Sequence, residues 1–183
     1  THLPWRKYEV LDKNQKKLLT TVWLSEILLQ QTQADRVIGY LGKIQAKFPT
    51  IESLAETTYD IFFPYYQWLG YYSRARNLLK TAKIVSEEYE WVFPNNESLL
   101  RKLPWVWPYT ARAILSFGYK ELTLAWDTNI EKVFSRYFHG AKNIKLSISE
   151  KIEIEESLIY YCKIHGNEQA RHINNALMDY ARL

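Results

Sequence analysis

The sequence predicts an all-α protein of about eight helices, on the basis of three observations. Apolar residues recur at every third or fourth position in several segments. No stretch alternates polar and apolar residues for long enough to form a sheet strand. The segments are separated by short breaks at proline or glycine, residues that end helices. The predicted helices span 15–31, 50–57, 74–89, 97–103, 109–118, 128–138, 148–164 and 168–181.

The composition limits the classes of protein to which the chain can belong. At 183 residues it is one domain or two small helical lobes, and no apolar run approaches the ~20 residues that cross a bilayer. We therefore expect no membrane span. The single cysteine, Cys162, excludes a disulfide framework and, within these residues, a four-thiolate iron–sulfur or zinc site. The net charge of +4 permits an anionic partner without requiring one.

The first predicted helix, 15–31, has a carboxylate, Glu26, on an otherwise apolar face. The residues on either side of it on a helical wheel are Leu19, Val22, Trp23 and Leu29. Burial at this position would raise the pKa of the carboxyl, which suits a general acid near neutral pH. The structural alternative is a glutamate at the edge of the helix, paired with a neighbouring donor.

Segments 97–103 and 109–118 predict two helices joined by a tight turn. Pro108 lies near the first position of the second helix, where proline is favoured. Free backbone N–H groups at such an N-terminus can hold a DNA phosphate, whereas a plain helical hairpin is the structural alternative. A turn of this kind normally needs small residues, but here it contains Trp105 and Trp107.

Asp127 directly precedes the predicted helix 128–138. Aspartate is a natural N-cap, and Thr128 with Glu131 has the spacing of a capping box. Capping alone is one explanation of Asp127. The functional alternative is an anion held at the start of a helix, where it can stabilise a developing positive charge.

These three features, in this order, resemble the helix-hairpin-helix DNA glycosylase superfamily and, within it, adenine DNA glycosylases of the MutY type. The most specific matching string is Trp-Leu-Ser-Glu-Ile-Leu-Leu-Gln-Gln-Thr-Gln at 23–33. Further matching strings lie at 3–6, 48–50, 69–78, 109–111, 127–129 and 175–179, so the resemblance covers nearly the whole chain. It implies the catalytic domain of a two-lobed, all-α glycosylase with the active site between the lobes. Residues 20–127 would form a helical barrel module with the hairpin, and 1–19 with 128–183 the second lobe.

The resemblance also implies the activity, which is base excision repair by hydrolysis of the N-glycosidic bond of adenine mispaired with 8-oxoguanine or guanine. Glu26 matches the acid that protonates the leaving adenine, and Asp127 matches the carboxylate that stabilises the oxocarbenium-like sugar. Tyr109 stands where bifunctional relatives place a nucleophilic lysine, so no Schiff base can form and a monofunctional enzyme is expected. In the MutY pattern Tyr109 assists the acid–base network, and Asn129 lies beside it.

The implied partner is double-stranded DNA with a mispaired or damaged base, from which the adenine is flipped out. Gln30, Gln31 and Thr32 match the loop that contacts the opposite strand. Tyr71 matches the wedge residue that intercalates beside the estranged base, although ordinary helix packing is its structural alternative. The other expected DNA-binding residues are Leu69, Gly70, Arg74, Trp105, Val106, Trp107 and Thr110. A monomer in the cytoplasm, associated with the nucleoid, is expected.

The chain departs from the family pattern in its cofactor ligands. Family members usually have four cysteines after the Leu-Met-Asp string, and these hold a [4Fe-4S] cluster. The chain reaches Leu183 without any of them, so no cofactor and no metal are expected within these residues. The domain that contacts 8-oxoguanine is also outside the match, which leaves the preference for that opposite base open.

The second departure concerns glycine, of which the chain has 6, against roughly 13 expected from average usage, beside 7 tryptophans. Trp68, Trp91, Trp105 and Trp107 stand where the family has glycine. A residue with a side chain in a glycine conformation costs on the order of 1 kcal/mol or more, and an indole fills space that a phosphate needs. Our hypothesis is that these four codons are UGA, read as glycine in the source organism and translated here as tryptophan.

Two other functions stay open at this point. The chain could be a thymine or uracil glycosylase acting on G mismatches, because those relatives share the Glu and Asp positions. It could also be a DNA-binding relative whose catalysis is impaired by the tryptophans in the hairpin.

Overall fold

The computed structural model describes residues 3–7, 13–141 and 144–181. No strand occurs in these ranges, and the predicted all-α class is confirmed. Short 3₁₀ helices span Pro4–Arg6 and Gln67–Leu69, and a π-helical turn spans Ile114–Gly118. The α-helices in these ranges are α1 (Gln15–Leu29), α2 (Ala34–Lys47), α3 (Ile51–Glu56), α4 (Tyr59–Tyr66), α5 (Tyr72–Glu88), α6 (Glu97–Leu100), α7 (Pro108–Ala113), α8 (Thr128–His139), α9 (Ile148–His165) and α10 (Gln169–Tyr180).

Two of these helices, α2 and α4, are absent from the sequence prediction. Helix α2 contains Gly39 and Gly42, and α4 contains Pro64. Glycine and proline have the lowest helix propensities, but packing overrides propensity when an apolar stripe is buried. In α2 that stripe is formed by Val37, Leu41 and Ile44, all fully buried.

The chain divides into two compact units, Thr1–Ile114 and Leu115–Leu183. This division differs from the predicted lobes, which place 1–19 with 128–183. The short helix Pro4–Arg6 instead packs against α1 in the first unit, where Trp5 is buried. The lobe boundaries at 20 and 127 stay predictions.

Helix α1 is the central helix of the first unit. Its residues 18–28 are all buried, so it is covered on every side rather than on one face. Helices α2, α3, α5 and α7 pack around it. Polar side chains in the middle of α1, including that of Glu26, are therefore largely removed from bulk water.

Helix starts in both units are fixed by side-chain caps. The Asn14, Thr50, Thr58 and Asn96 side chains accept hydrogen bonds from the first turns of α1, α3, α4 and α6. Ser147 and Glu150 form a reciprocal capping box at the start of α9. None of the helices in the described ranges combines the length and apolar character that a bilayer crossing requires.

Candidate functional site

Glu26 lies in the buried stretch of α1, and its side chain is 7% exposed. In the described part of the chain it is the only Asp or Glu that is buried. Leu19, Val22 and Trp23, which the helical wheel places around it, are buried too. Removing a carboxylate from water is costly, so a buried acid in an apolar helix indicates a purpose other than stability. Burial places Glu26 away from the exposed edge of α1, while pairing with a neighbouring donor stays open as a structural role for it.

Tyr109 belongs to α7, which packs against α1 in the first unit. Its side chain is partly buried, and its neighbour Thr110 is completely buried. The Gln30 side chain donates from Nε2 to the Thr110 Oγ1 at 3.3 Å, joining the end of α1 to the hairpin. The helix with the buried acid and the helix with the predicted assisting tyrosine are thus direct neighbours.

The predicted hairpin consists of α6, a turn and α7. Leu103 and Val106 anchor the turn in the core, and Trp107 with Pro108 begins α7 at the surface. Trp107 is 59% exposed and Val106 is buried, so the turn presents one of these two predicted DNA-binding side chains to solvent. The Trp105 indole Nε1 is buried and has no hydrogen-bond partner among the described residues.

Two of the four tryptophans that replace family glycines have glycine-like backbones. Trp91 has φ +67° and Trp105 has φ +65°, both in the left-handed region that L-residues avoid. Trp107 has φ −80°, and Trp68 lies in a 3₁₀ helix, so any residue fits there without backbone strain. The backbone therefore favours glycine at 91 and 105, and it is neutral at 68 and 107.

The turn before α5 presents the predicted wedge. Leu69 is buried, Gly70 has φ +71°, and Tyr71 follows in the left-handed conformation with its side chain 53% exposed. A half-exposed aromatic on a fixed turn can insert between bases, as the resemblance predicts. The loop after α1 lies close to this turn: Gln31 is exposed with φ +56°, and Gln30 and Thr32 are partly buried.

Arg74 lies inside the first unit rather than on its surface. Its side chain is 1% exposed. Direct contact between the guanidinium and DNA, as predicted from the sequence, does not agree with this burial. Its hydrogen bonds run to the Gln30–Thr32 loop and to the wedge turn, which gives it a different role.

In the second unit, Asp127 is the N-cap of α8. Its Oδ1 accepts from the backbone N–H groups of Asn129 at 3.0 Å and Ile130 at 2.8 Å, and its Oδ2 accepts from the Asn129 side chain at 2.8 Å. Asp127 is confirmed as an N-cap, whereas the Thr128–Glu131 capping box is wrong, because Thr128 is already the first residue of the helix and Glu131 pairs with Lys151. The hydrogen bonds to Asp127 also fix the carboxylate orientation and place it at the positive end of a 12-residue helix. Asp127 can therefore cap α8 and also stabilise a nearby positive charge.

The sequence interpretation missed Asn174, which orders the segment leading to Asp127. Its buried amide accepts from the Ala125 N–H at 2.9 Å and donates to the Ser116 hydroxyl and the Thr123 carbonyl at 3.0 Å each. The predicted string at 175–179 begins one residue later. The sequence feature that could have identified Asn174 is its position as a polar residue on a mostly apolar face of the helix.

We expect Asn174→Ala to lower the free energy of unfolding by about 2 kcal/mol or more, because it leaves buried polar groups unsatisfied. Chemical denaturation measures this loss. The matched control is His172→Ala on the exposed face of the same helix, which should change stability by less than about 0.5 kcal/mol. Equal effects of the two changes would contradict the assignment.

Cys162 is the single cysteine of the sequence, so these residues cannot supply the four thiolates of a [4Fe-4S] cluster. No group of three His, Cys, Asp or Glu side chains with metal-binding geometry occurs in the described ranges. Cys162 is buried in the apolar core of the second unit, and that burial raises the pKa of its thiol, which disfavours the thiolate.

The profile of the HhH-GPD superfamily of base excision DNA repair proteins matches residues 24–158. The chain belongs to this superfamily. The HhH-GPD match includes Glu26, the wedge turn, the hairpin and Asp127.

Curated relatives are named adenine DNA glycosylase. The chain is 39% identical over 184 residues to that of Buchnera aphidicola subsp. Baizongia pistaciae, covering 99% of this chain and 48% of the relative. It is 38% identical over 135 residues to that of Rattus norvegicus, covering 73% of this chain and 26% of the relative. The chain spans about half the length of the Buchnera relatives from subsp. Baizongia pistaciae and subsp. Schizaphis graminum.

Solved structures support the HhH-GPD fold. A thermostable thymine-DNA glycosylase aligns with TM-score 0.79 at 23% identity, over 99% of this chain and 78% of that one. A non-covalent endonuclease III–DNA complex aligns with TM-score 0.69 at 18% identity, over 97% of this chain and 85% of that one.

Proposed function

We propose that the chain is a monofunctional DNA glycosylase that removes adenine mispaired with 8-oxoguanine or guanine. The observation that carries the proposal is the burial of Glu26 in the middle of α1, where it is the one buried carboxylate among the described residues. The relatives named adenine DNA glycosylase, with identity along nearly the whole chain, support the choice of base.

Glu26 acts as the general acid in this proposal. Protonation of the adenine ring makes it a better leaving group, and the C1′–N9 bond then breaks with the electron pair leaving on the base. The deoxyribose becomes oxocarbenium-like, and water adds to C1′ while its proton passes to the Glu26 carboxylate, which restores the acid. Asp127 contributes a fixed negative charge that stabilises the cationic sugar. Tyr109 assists the acid on the neighbouring helix, and Asn129 orients Asp127 through its amide.

The monofunctional character follows from Tyr109. A lyase step needs an amine that forms a Schiff base at C1′, and a phenol cannot form one. We therefore expect an intact abasic strand as the product. Strand breakage would require a separate treatment such as alkali.

The proposed partner is duplex DNA containing the mispair, bound by a monomer. The wedge turn presents Tyr71, whose side chain is 53% exposed. Such an aromatic side chain suits insertion into a duplex from which a base is flipped. Gln30, Gln31 and Thr32 are proposed to contact the opposite strand.

Base release from three duplexes tests the proposal. Duplexes with a single A·8-oxoguanine, A·G or T·G pair are incubated with excess protein, and the released base is identified by chromatography and mass spectrometry. We expect adenine from the first two and nothing from the third. Thymine release from T·G would favour the thymine glycosylase alternative, which the structural likeness to a thymine-DNA glycosylase makes worth testing. The W68G/W91G/W105G/W107G variant is assayed in parallel with the unchanged chain. If both proteins bind the duplex and neither releases a base, the chain is a DNA-binding relative without glycosylase activity.

Asp127→Asn separates the capping role of this residue from its chemical role. Asparagine caps helices as well as aspartate does, so the free energy of unfolding should change by less than about 0.5 kcal/mol. The lost charge should slow adenine release on the order of 100-fold. Asp127→Ala is the matched change that removes both, and it should also cost about 1 kcal/mol of stability. Unchanged release by Asp127→Asn would leave capping as the whole role of the residue.

A further inference from the structure

We propose that Arg74 is a positioning residue that locks the Gln30–Thr32 loop and the wedge turn 69–71 into one rigid unit, so that both enter DNA in a fixed relation. This inference rests on the proposed function for its consequence in catalysis. The locking itself is a property of the first unit and can be measured without any substrate.

The Arg74 guanidinium donates to both segments at once. On the loop side, Nη1 donates to the Gln30 carbonyl and Nη2 donates to the Thr32 Oγ1 at 3.2 Å. On the turn side, Nη2 donates to the Leu69 carbonyl at 3.1 Å. The Nη1 also lies 3.3 Å from the carbonyl oxygen of Leu28, at the end of α1. One planar group therefore joins the end of α1, the loop and the turn.

The acceptors around Arg74 are neutral. They are backbone carbonyls and hydroxyls rather than carboxylates, although the side chain is 1% exposed. A buried cation without a counter-ion is costly unless fixed dipoles replace its hydration. The first unit supplies such dipoles from two segments that differ in sequence position by about 40 residues. An arrangement this costly is expected where geometry matters more than stability.

Both joined segments contain a strained residue. Gln31 has φ +56°, and Tyr71 has φ +49° with ψ +62°. Side-chain-bearing residues keep such conformations only when their surroundings hold them. Arg74 holds Tyr71 through its backbone N–H, which donates to the Tyr71 carbonyl at 2.8 Å, and its Cζ lies 5.5 Å from the centre of the Tyr71 ring.

Tyr66 completes the arrangement behind the turn. Its hydroxyl accepts from Arg74 Nε and donates to the Tyr71 carbonyl at 3.4 Å. Burial raises the pKa of Tyr66, so the hydroxyl keeps the proton that it donates. The loop is tied in turn to the hairpin by the Gln30–Thr110 hydrogen bond. Three predicted DNA-contacting segments are thus connected by side-chain hydrogen bonds.

Arg74→Lys is the decisive variant, because lysine keeps the charge but has one ammonium in place of a five-donor fork and cannot reach both segments. Arg76→Lys is the matched control on the same helix, where Arg76 is exposed and lies over the Tyr59 ring. Hydrogen exchange of the backbone amides in 30–32 and 69–72 is measured for each folded variant. Single-turnover adenine release and duplex affinity are measured in parallel.

We expect Arg74→Lys to speed amide exchange in both segments together and to slow adenine release on the order of 10- to 100-fold, with a smaller change in duplex affinity. Arg76→Lys should alter none of these. Faster exchange in only one segment, or in neither, would overturn the proposal. A third outcome separates the two proposals. If Arg74→Lys speeds exchange in both segments but the unchanged chain releases no adenine, the locking role of Arg74 holds and the proposed function is rejected.

Thr32→Val serves if Arg74→Lys does not fold. It removes one hydrogen bond from the guanidinium to the loop and leaves the bond to Leu69. Rigid coupling predicts faster exchange at 69–72 as well as at 30–32. Faster exchange confined to 30–32 would contradict it.

Discussion

Glu26→Gln is expected to slow adenine release by about 100-fold or more while leaving the fold intact. Glutamine has the shape of glutamic acid and keeps its hydrogen-bonding capacity, but it has no proton to transfer to adenine. Acid catalysis of this kind contributes about 10²- to 10⁴-fold. Because the variant removes a buried ionisable group, its free energy of unfolding should be unchanged or higher.

Single-turnover release from an A·8-oxoguanine duplex measures the effect, with denaturation curves recorded on the same preparations. Glu56→Gln is the matched control, since Glu56 is an exposed glutamate at the end of α3 in the same unit. It should release adenine at the rate of the unchanged chain. If Glu26→Gln does so too, Glu26 is not the acid and its burial needs another explanation.

Trp105→Gly is expected to be more stable than Trp105→Ala by about 1 kcal/mol, because both changes remove the indole but only glycine accepts φ +65° without strain. Position 107 provides the control. Its φ of −80° suits any residue, so glycine there should have no advantage over alanine. Denaturation of the four variants gives the comparison, and equal stability of the two variants at 105 would refute the strain argument.

The same positions should affect DNA binding more than stability. In the W105G/W107G variant the hairpin backbone can approach a phosphate, and we expect its duplex affinity to rise about tenfold or more, equivalent to about 1.4 kcal/mol. Fluorescence anisotropy against salt concentration measures this rise. Unchanged affinity would show that the indoles do not obstruct the phosphate.

Mass spectrometry of the protein from its source organism tests the codon hypothesis directly. Glycine at 105 and 107 is the expected result, and tryptophan at both would reject the hypothesis. The backbone supports it most strongly at 91 and 105, where φ is positive. At 68 and 107 the hypothesis depends on the family pattern alone.

Much of the fold could be predicted from the sequence, because the information was local. The period of apolar residues located α1, α5, α9 and α10 to within about three residues. The cap at Asp127 followed from residue type. Helix α2 has the apolar period, at Val37, Leu41 and Ile44, but its two glycines argued against a helix, and Pro64 did the same for α4.

The candidate site, like the fold, could be predicted from the sequence only in part. Glu26 was predictable, since a carboxylate in an apolar helical segment is visible in one dimension. The position of Arg74 was not, because its acceptors lie on two segments about 40 residues apart, 28–32 and the turn at Leu69, and each is an ordinary backbone carbonyl or hydroxyl. Because Arg74 follows Tyr71 by three residues, the sequence suggests that both contact DNA. The structure instead places the Arg74 side chain inside the first unit. The hydrogen bonds of Asn174 depend in the same way on contacts across about 50 residues of sequence.

The most direct test of the central claim is to measure free adenine and strand breaks together, from one duplex containing a single A·8-oxoguanine pair. The W68G/W91G/W105G/W107G variant is included so that the four tryptophans do not decide the outcome. We predict one free adenine for each abasic site, no strand break before alkali, and no protein–DNA adduct after borohydride reduction. Retention of all the adenine, or an adduct trapped by borohydride, would contradict a monofunctional adenine glycosylase that depends on Glu26 and Tyr109.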